Sequence, residues 1–297
     1  RESVPMSKPE NPGSEHPSTY FVQDRSNEEE LNRLLVQDRM LTASMGGVLA
    51  EQRNPASLRR VLDVGCGTGG WLIDVARTYP SMERLVGVDV SSRMVEYARS
   101  QARIEQVEDR VEFRTMDALR MLEIPSQYFD LVNQRTAAGY LRTWDWPKLL
   151  QEYRRVLRLG GVVRLTEGAW LGTSTSPALN RLLELVMAAF YQAGHSFTPT
   201  NDGVISELAP LLQRWGFQQV QTRSHTPEYR AGTPEGQRFF EDMRLTFRTV
   251  LPFLNKWIRV PKDYHEIYAQ ALSEMKQPDF VATGDLLTAW GIKLSSS

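Results

Sequence analysis

The chain has 297 residues, with 35 Lys and Arg against 36 Asp and Glu for a formal net charge of −1, and 41% of it is hydrophobic. That length and composition suit one α/β core with added lid elements, and the balanced charge argues against nucleic acid as a partner, which needs clustered cations. The single cysteine, Cys66, excludes an internal disulfide framework and points to a reducing, cytoplasmic compartment. Without a run of about 18 apolar residues no membrane span and no membrane partner are expected, and the stretch before Met6 lacks the apolar centre of a signal peptide.

Residues 1–19 carry Pro5, Pro9, Pro12 and Pro17 among polar residues and read as a disordered arm. Residues 20–55 form a helical cap, because Leu31, Leu34, Leu35, Leu41, Met45, Val48 and Leu49 recur at helical spacing up to the breaker Asn54-Pro55. Residues 56–169 then alternate. Apolar strands are predicted at Val61–Val64, Leu85–Val88, Val111–Phe113, Tyr128–Val132 and Val162–Thr166. Between them lie helices with Trp71, Leu72, Val75 and Ala76, with Met94, Val95 and Ala98, and with Leu149, Leu150, Tyr153 and Val156 on their inner faces. Such a rhythm means a doubly wound parallel α/β sheet covered by helices on both sides. Residues 170–203 read as a lid insertion, 204–225 as a continuation of the core, 226–278 as a helical lid insertion, and 279–297 as the last core strand and tail.

The most informative motif is Val61-Leu-Asp63-Val-Gly65-Cys-Gly67-Thr-Gly69-Gly70-Trp71, at a strand-to-helix turn where glycines let backbone approach a ligand. Gly65-x-Gly67-x-x-Gly70 also matches the dinucleotide fingerprint, and Asp89, about 20 residues on, is placed for ribose hydroxyls in either case. A nicotinamide-dependent oxidoreductase therefore stays open on the glycines alone. Asp63 separates the two: an acid there would face a pyrophosphate, whereas it can neutralise the α-ammonium group of a sulfonium donor, directly or through water. The chain here resembles the class I S-adenosylmethionine-dependent methyltransferases, from about residue 20 to 168. Asp89 and Val90 match the family's ribose-binding segment, Met116-Asp117-Ala118 its adenine-binding segment, and Phe129–Arg135, with Asn133 and Arg135, its fourth-strand motif. Val156-Leu-Arg-Leu-Gly160-Gly161 matches the turn before strand five, with Leu159 where Pro is usual. The segment Tyr20–Glu29 resembles the family's small-molecule cap, which makes Tyr20 and Gln37 candidates for donor contacts.

The resemblance implies a Rossmann-like, seven-stranded, mostly parallel sheet with helical cap and lid insertions. It also implies S-adenosyl-L-methionine as cofactor, bound by Tyr20, Gln37, Asp63, Gly65, Gly67, Gly69, Asp89, Val90, Met116, Asp117, Ala118, Asn133 and Arg135. The expected reaction is direct displacement onto a small hydrophobic acceptor of natural-product or isoprenoid type, with a homodimer as the open assembly. Glu167, at the carboxyl end of strand five, is the candidate base. His195 is the second catalytic candidate, while His225 and His265 fit surface or packing roles better. The aromatic residues at 239–268 suggest an acceptor pocket, although their helical spacing favours core packing. Arg230, Arg238, Arg244, Arg248 and Arg259 would bind a diphosphate or carboxylate if they converged inward. Both insertions are expected to close an apolar cavity over the methyl group. No base-methylase motif follows strand four, and the four histidines lack metal-ligand spacing, so no metal is expected. A donor-binding protein with non-methyl chemistry remains the alternative.

Overall fold

In the computed structural model the described residues are 20–22, 28–169, 172–200 and 202–294. The expected arm over 1–19 and residues 23–27 of the cap motif lie outside them. Helix α1 (Glu28–Ser44) leads to strand β1 (Arg60–Val64), followed by α2 (Gly70–Thr78), β2 (Arg84–Asp89), α3 (Ser92–Ile104), β3 (Val111–Thr115), β4 (Phe129–Arg135), α4 (Trp146–Val156) and β5 (Leu157–Gly168). Then come α5 (Pro177–Gln192), α6 (Leu208–Arg214), β6 (Gln218–His225), β7 (Glu228–Arg230), α7 (Pro234–Thr249), α8 (Leu251–Trp257), α9 (Tyr264–Glu274), β8 (Val281–Thr283) and β9 (Leu286–Ile292). Seven strands pair in the order β3-β2-β1-β4-β5-β9-β6. The ladders from β3 through β5 are parallel, and β9 runs antiparallel to both β5 and β6. Strand order reverses between β1 and β4, so the crevice for a ligand opens at their carboxyl ends.

Alternation of side chains across β1 builds the two layers. Val61 packs with Trp71, Leu72 and Ala98 on the α2–α3 side, and Leu62 packs with Leu149, Leu150 and Tyr153 on the α4 side. A separate core under α5, α7, α8 and α9 buries Leu182, Phe190, Phe240, Phe247 and Phe253. Strand β8, just past the second insertion, pairs with β7 at that insertion's start and bridges through Ala282 to Ser174 of the first. Strands of three residues are too short for alternation to reveal. Among the described residues no helix is long and apolar enough to cross a membrane.

Two elements differ from expectation. Helix α1 stops at Ser44 instead of running to Asn54, because Gly46 and Gly47 take φ of 75° and 131° and turn the chain out of the helix. The helical block after residue 233 is three helices, with Pro252 in the first turn of α8, where its missing N–H costs nothing.

Beneath the sheet's carboxyl end runs a buried polar chain. Asn133 Nδ2 donates to Asp63 Oδ1 at 2.8 Å, Arg164 Nη1 donates to Asn133 Oδ1 at 2.7 Å, and Arg164 Nε donates to Glu51 Oε1 at 2.7 Å. Burial works to raise the Glu51 carboxyl, but the Arg164 guanidinium holds it below the usual carboxylate range. Removing one partner strands the other as a buried charge. Glu51→Ala should therefore destabilise the fold by about 3–5 kcal/mol in denaturant titration. The wild-type contribution should be present above the ordinary carboxylate pKa and fade as pH falls through the depressed folded value.

Candidate active site

A cavity of about 290 Å³ lies at the carboxyl edge of the sheet, and the glycine turn forms one wall of it. The turn hangs from β2: the N–H groups of Gly65 and Cys66 donate to Val88 O at 2.8 and 3.0 Å. Gly67 has φ +51°, and a Cβ built on it would meet nothing within 4 Å, so its bare backbone faces open space where a ligand can approach. Gly69 serves a different purpose. A Cβ there would lie 2.6 Å from Phe113 and 2.8 Å from Ala98, and Gly69 does not line the cavity. Its small size lets α2 begin against β3 and α3, which corrects the expectation that it touches the cofactor.

Asp89, at the end of β2, ties two turns together. Its Oδ2 accepts from Gly67 N–H and its Oδ1 from Ser91 N–H, both at 2.9 Å, and the side chain lines the cavity. Ser91 in turn caps α3 by accepting from Met94 N–H. Met116 N–H donates to Asp89 O at 2.9 Å, which draws Met116-Asp117-Ala118 to the same edge. Val90, Met116, Ala118 and Leu119 make this end apolar, with Asp117 beside them.

The roof comes from the N-terminal cap. Tyr20, Phe21, Glu30, Arg33, Gln37 and Leu41 line the cavity from above, the two donor-contact candidates Tyr20 and Gln37 among them. Phe21 N–H donates to Gly139 O at 3.0 Å, which docks the segment on the turn after β4. Asp38, which the sequence reading passed over, forms an ion pair with Arg135 from β4. A Cβ at Gly70 would collide with the Asp38 carboxylate, so a small residue is what allows α1 to come this close to α2.

Glu167 faces the cavity from the end of β5, is 1% exposed, and accepts from Ala137 N–H at 2.6 Å and Ala138 N–H at 3.3 Å. Those donors belong to a short 3-10 turn preceded by Thr136, a β-branched residue at φ +52°. That strained geometry aims two N–H groups at one carboxylate and marks a constrained site. Burial pushes the Glu167 carboxyl up to about 8, outweighing the two hydrogen bonds that favour its ionised form. Tyr140 closes the turn and packs its hydroxyl against Gly65, joining the base side of the cavity to the glycine side.

Three further candidates stand off the cavity lining. His195 does not line the cavity; its Nδ1 lies 2.8 Å from Ala138 O, and its ring packs on Phe190 and Phe253. Burial pulls its pKa down to about 4, so the ring is neutral and supports the 3-10 turn from behind. Asp63 and Asn133 also sit behind the cavity wall, hydrogen-bonded to each other. Burial pushes the Asp63 carboxyl up to about 7, against the pull of Arg135 and Asn133. Gly69 belongs with them.

The lid residues depart further from expectation. Among the described residues, none from 170–203 or 226–278 lines this cavity. Phe190 and Phe253 instead press on the back of Phe21 at ring distances of 5.5 and 6.4 Å. The aromatic residues of 239–268 fill the lid's own core or its surface. Arg230, Arg238, Arg244 and Arg248 pair with Glu228, Glu235, Glu241 and Glu29, and Arg259 is exposed, so the five do not converge.

A family model described as a methyltransferase domain matches residues 61–161. The demethylmenaquinone methyltransferase of Lactiplantibacillus plantarum is 31% identical over 179 residues, which span 56% of this chain and 73% of that protein. Two solved structures share the fold. The YcgJ protein from Bacillus subtilis aligns with a TM-score of 0.51 at 20% identity, covering 91% of this chain and 100% of that one. The phosphoethanolamine N-methyltransferase 2 of Haemonchus contortus, in complex with phosphomonomethylethanolamine and S-adenosylhomocysteine, aligns with a TM-score of 0.52 at 18% identity, covering 93% and 60%. A relative 31% identical over 73% of its own length, with the methyltransferase-domain match across β1 to β5, makes the chain a member of the class I S-adenosylmethionine-dependent methyltransferase family.

Proposed function

We propose that the chain methylates a small apolar acceptor, held between the α1–Tyr20–Phe21 roof and the turn after β4, with Glu167 taking the acceptor's proton. The observation that carries this reading is the position of Glu167: a buried carboxylate, held by two backbone N–H groups, opens on the same cavity as Gly67 and Asp89. The residues around the glycine turn fit the donor. Gly67 offers backbone without a side chain, Asp89 offers a carboxylate to ribose hydroxyls, and Val90, Met116 and Leu119 offer apolar surface to adenine. Gln37 offers an amide to the amino-acid end. When bound, the donor supplies a methyl group on a sulfonium, with a neutral thioether as the leaving group.

The chain's own part is alignment, exclusion of water and proton transfer. The roof helix and Phe21 cover the site, and Glu167 accepts the proton of a hydroxyl at its Oε as that oxygen becomes the nucleophile. A small acceptor suits a roofed cavity better than a polymer does. The name of the Lactiplantibacillus plantarum relative, which specifies demethylmenaquinone for that protein, supports an apolar acceptor here.

Two outcomes test this reading. Asp89→Ala should weaken S-adenosylhomocysteine binding by about 1.5–3 kcal/mol in calorimetry, since charge-assisted hydrogen bonds are lost; unchanged affinity in the folded variant would remove Asp89 from the site. Glu167→Gln should lower turnover by roughly 10²–10⁴-fold with little change in S-adenosylhomocysteine affinity. With the carboxyl near 8 in the free protein, wild-type kcat/KM should rise as pH climbs through that value and then level off. The Glu167→Gln variant should lose this limb, and a wild-type profile flat from pH 6 to 9 would exclude Glu167 as base.

A further inference from the structure

The cavity is lined by four carboxylates, Glu30, Asp89, Asp117 and Glu167, and by two guanidinium groups, Arg33 and Arg135. Neither arginine is available to an incoming anion. Arg135 is paired with Asp38. Arg33 is held by two acids: its Nε and Nη2 donate to Glu30 Oε2 and Oε1, both at 2.8 Å, and its Nη1 donates to Asp242 Oδ1 at 3.2 Å. Its Nη2 also lies 3.1 Å from the Tyr20 hydroxyl, which itself donates to Glu30. Glu30, Arg33 and Asp242 are each 2% exposed or less. This cluster joins α1 to α7 in the roof over the cavity, and its formal charges are two negative and one positive.

We infer that the acceptor end of the cavity admits uncharged acceptors and rejects anions, and that Glu30 is the residue that sets this selection. The inference rests on the reading of the cavity as an apolar acceptor site and gives it a substrate class. An acceptor carrying a carboxylate or phosphate would bring its charge beside Glu30 and Asp242 at low dielectric, where like charges repel strongly. It would also lose its hydration without gaining a free cation, because Arg33 is saturated by acids. A hydroxyl- or carbonyl-bearing ring pays no such penalty and can hydrogen-bond to the Tyr20–Arg33 edge. The remaining acids suit the cationic donor, so a single charge pattern serves both compartments.

The test uses the full chain saturated with S-adenosylhomocysteine, and two probes of matched shape: 2-naphthol, uncharged at neutral pH, and 2-naphthoate. Equilibrium dialysis should show 2-naphthol bound at least roughly tenfold more tightly. Glu30→Gln should narrow the gap to about threefold or less, chiefly by strengthening 2-naphthoate, because Arg33 then carries surplus positive charge. Asp242→Asn, placed behind Arg33, should shift the ratio in the same direction and serves if Glu30→Gln does not fold. S-adenosylhomocysteine affinity should stay at the wild-type value in Asp242→Asn, whose side chain does not line the cavity. Equal or tighter binding of 2-naphthoate by wild type, or a ratio unmoved by either variant, overturns the inference while leaving the apolar acceptor site standing. Failure of 2-naphthol itself to bind removes that acceptor site and the inference with it.

Discussion

Buried negative charge at the carboxyl edge of the sheet is the constraint on which the rest of this site depends. Four carboxylates line one cavity, and both arginines that reach it are already held by acids. Isolated carboxylates would be costly to bury. The fold lowers that cost with backbone N–H donors: Gly67 and Ser91 on Asp89, Leu119 on Asp117, Ala137 and Ala138 on Glu167. The turns after the strands have the conformations that supply these donors, including left-handed backbone at Gly67 and Thr136. What remains uncompensated appears as carboxyls pushed up to about 7 at Asp63 and about 8 at Glu167. A ligand bearing a positive charge relieves both.

Helix α1 connects this electrostatic site to the lid. One face of it meets the carboxyl end of β4 through Asp38 and Arg135, and about one turn earlier it is clasped to α7 by Arg33 and Asp242. The two lid insertions form their own core and meet the site through α1, Phe21 and the His195 contact to Ala138 O. Their stability therefore bears both on the roof's position and on the 3-10 turn that holds Glu167.

Much of this was legible in the sequence, and the limits follow from what periodicity can carry. The parallel strands announce themselves as short apolar runs between helices, and the glycine turn with Asp89 follows from its place between the first two. Glu167 was found from its place at the end of a strand. Asp63 shows where spacing stops: an acid at the end of a strand can point into the crevice or behind it, and here it bonds to Asn133 off the cavity lining. The aromatic residues of α7 and α8 announce a hydrophobic face without naming the surface it meets; their helical spacing favours core packing, and they form the lid core. Glu30 and Arg33, three residues apart, look like an ordinary solvated ion pair on a helix; their burial depends on Asp242, 209 residues beyond Arg33. Thr136 carries no signal at all, since nothing in its chemistry predicts left-handed backbone.

The central claim is that the cavity's buried acids are matched to the donor's positive charge, and proton exchange on binding tests it most directly. Calorimetric titration near pH 7, repeated in buffers of different ionisation enthalpy, counts protons released or taken up. Asp63 and Glu167 are partly or largely protonated in the free protein at that pH, and a nearby cation favours their ionised forms. S-adenosylmethionine should therefore release protons on binding, and more of them than S-adenosylhomocysteine, which lacks the sulfonium. Equal release by the two ligands, or proton uptake with S-adenosylmethionine, would contradict it.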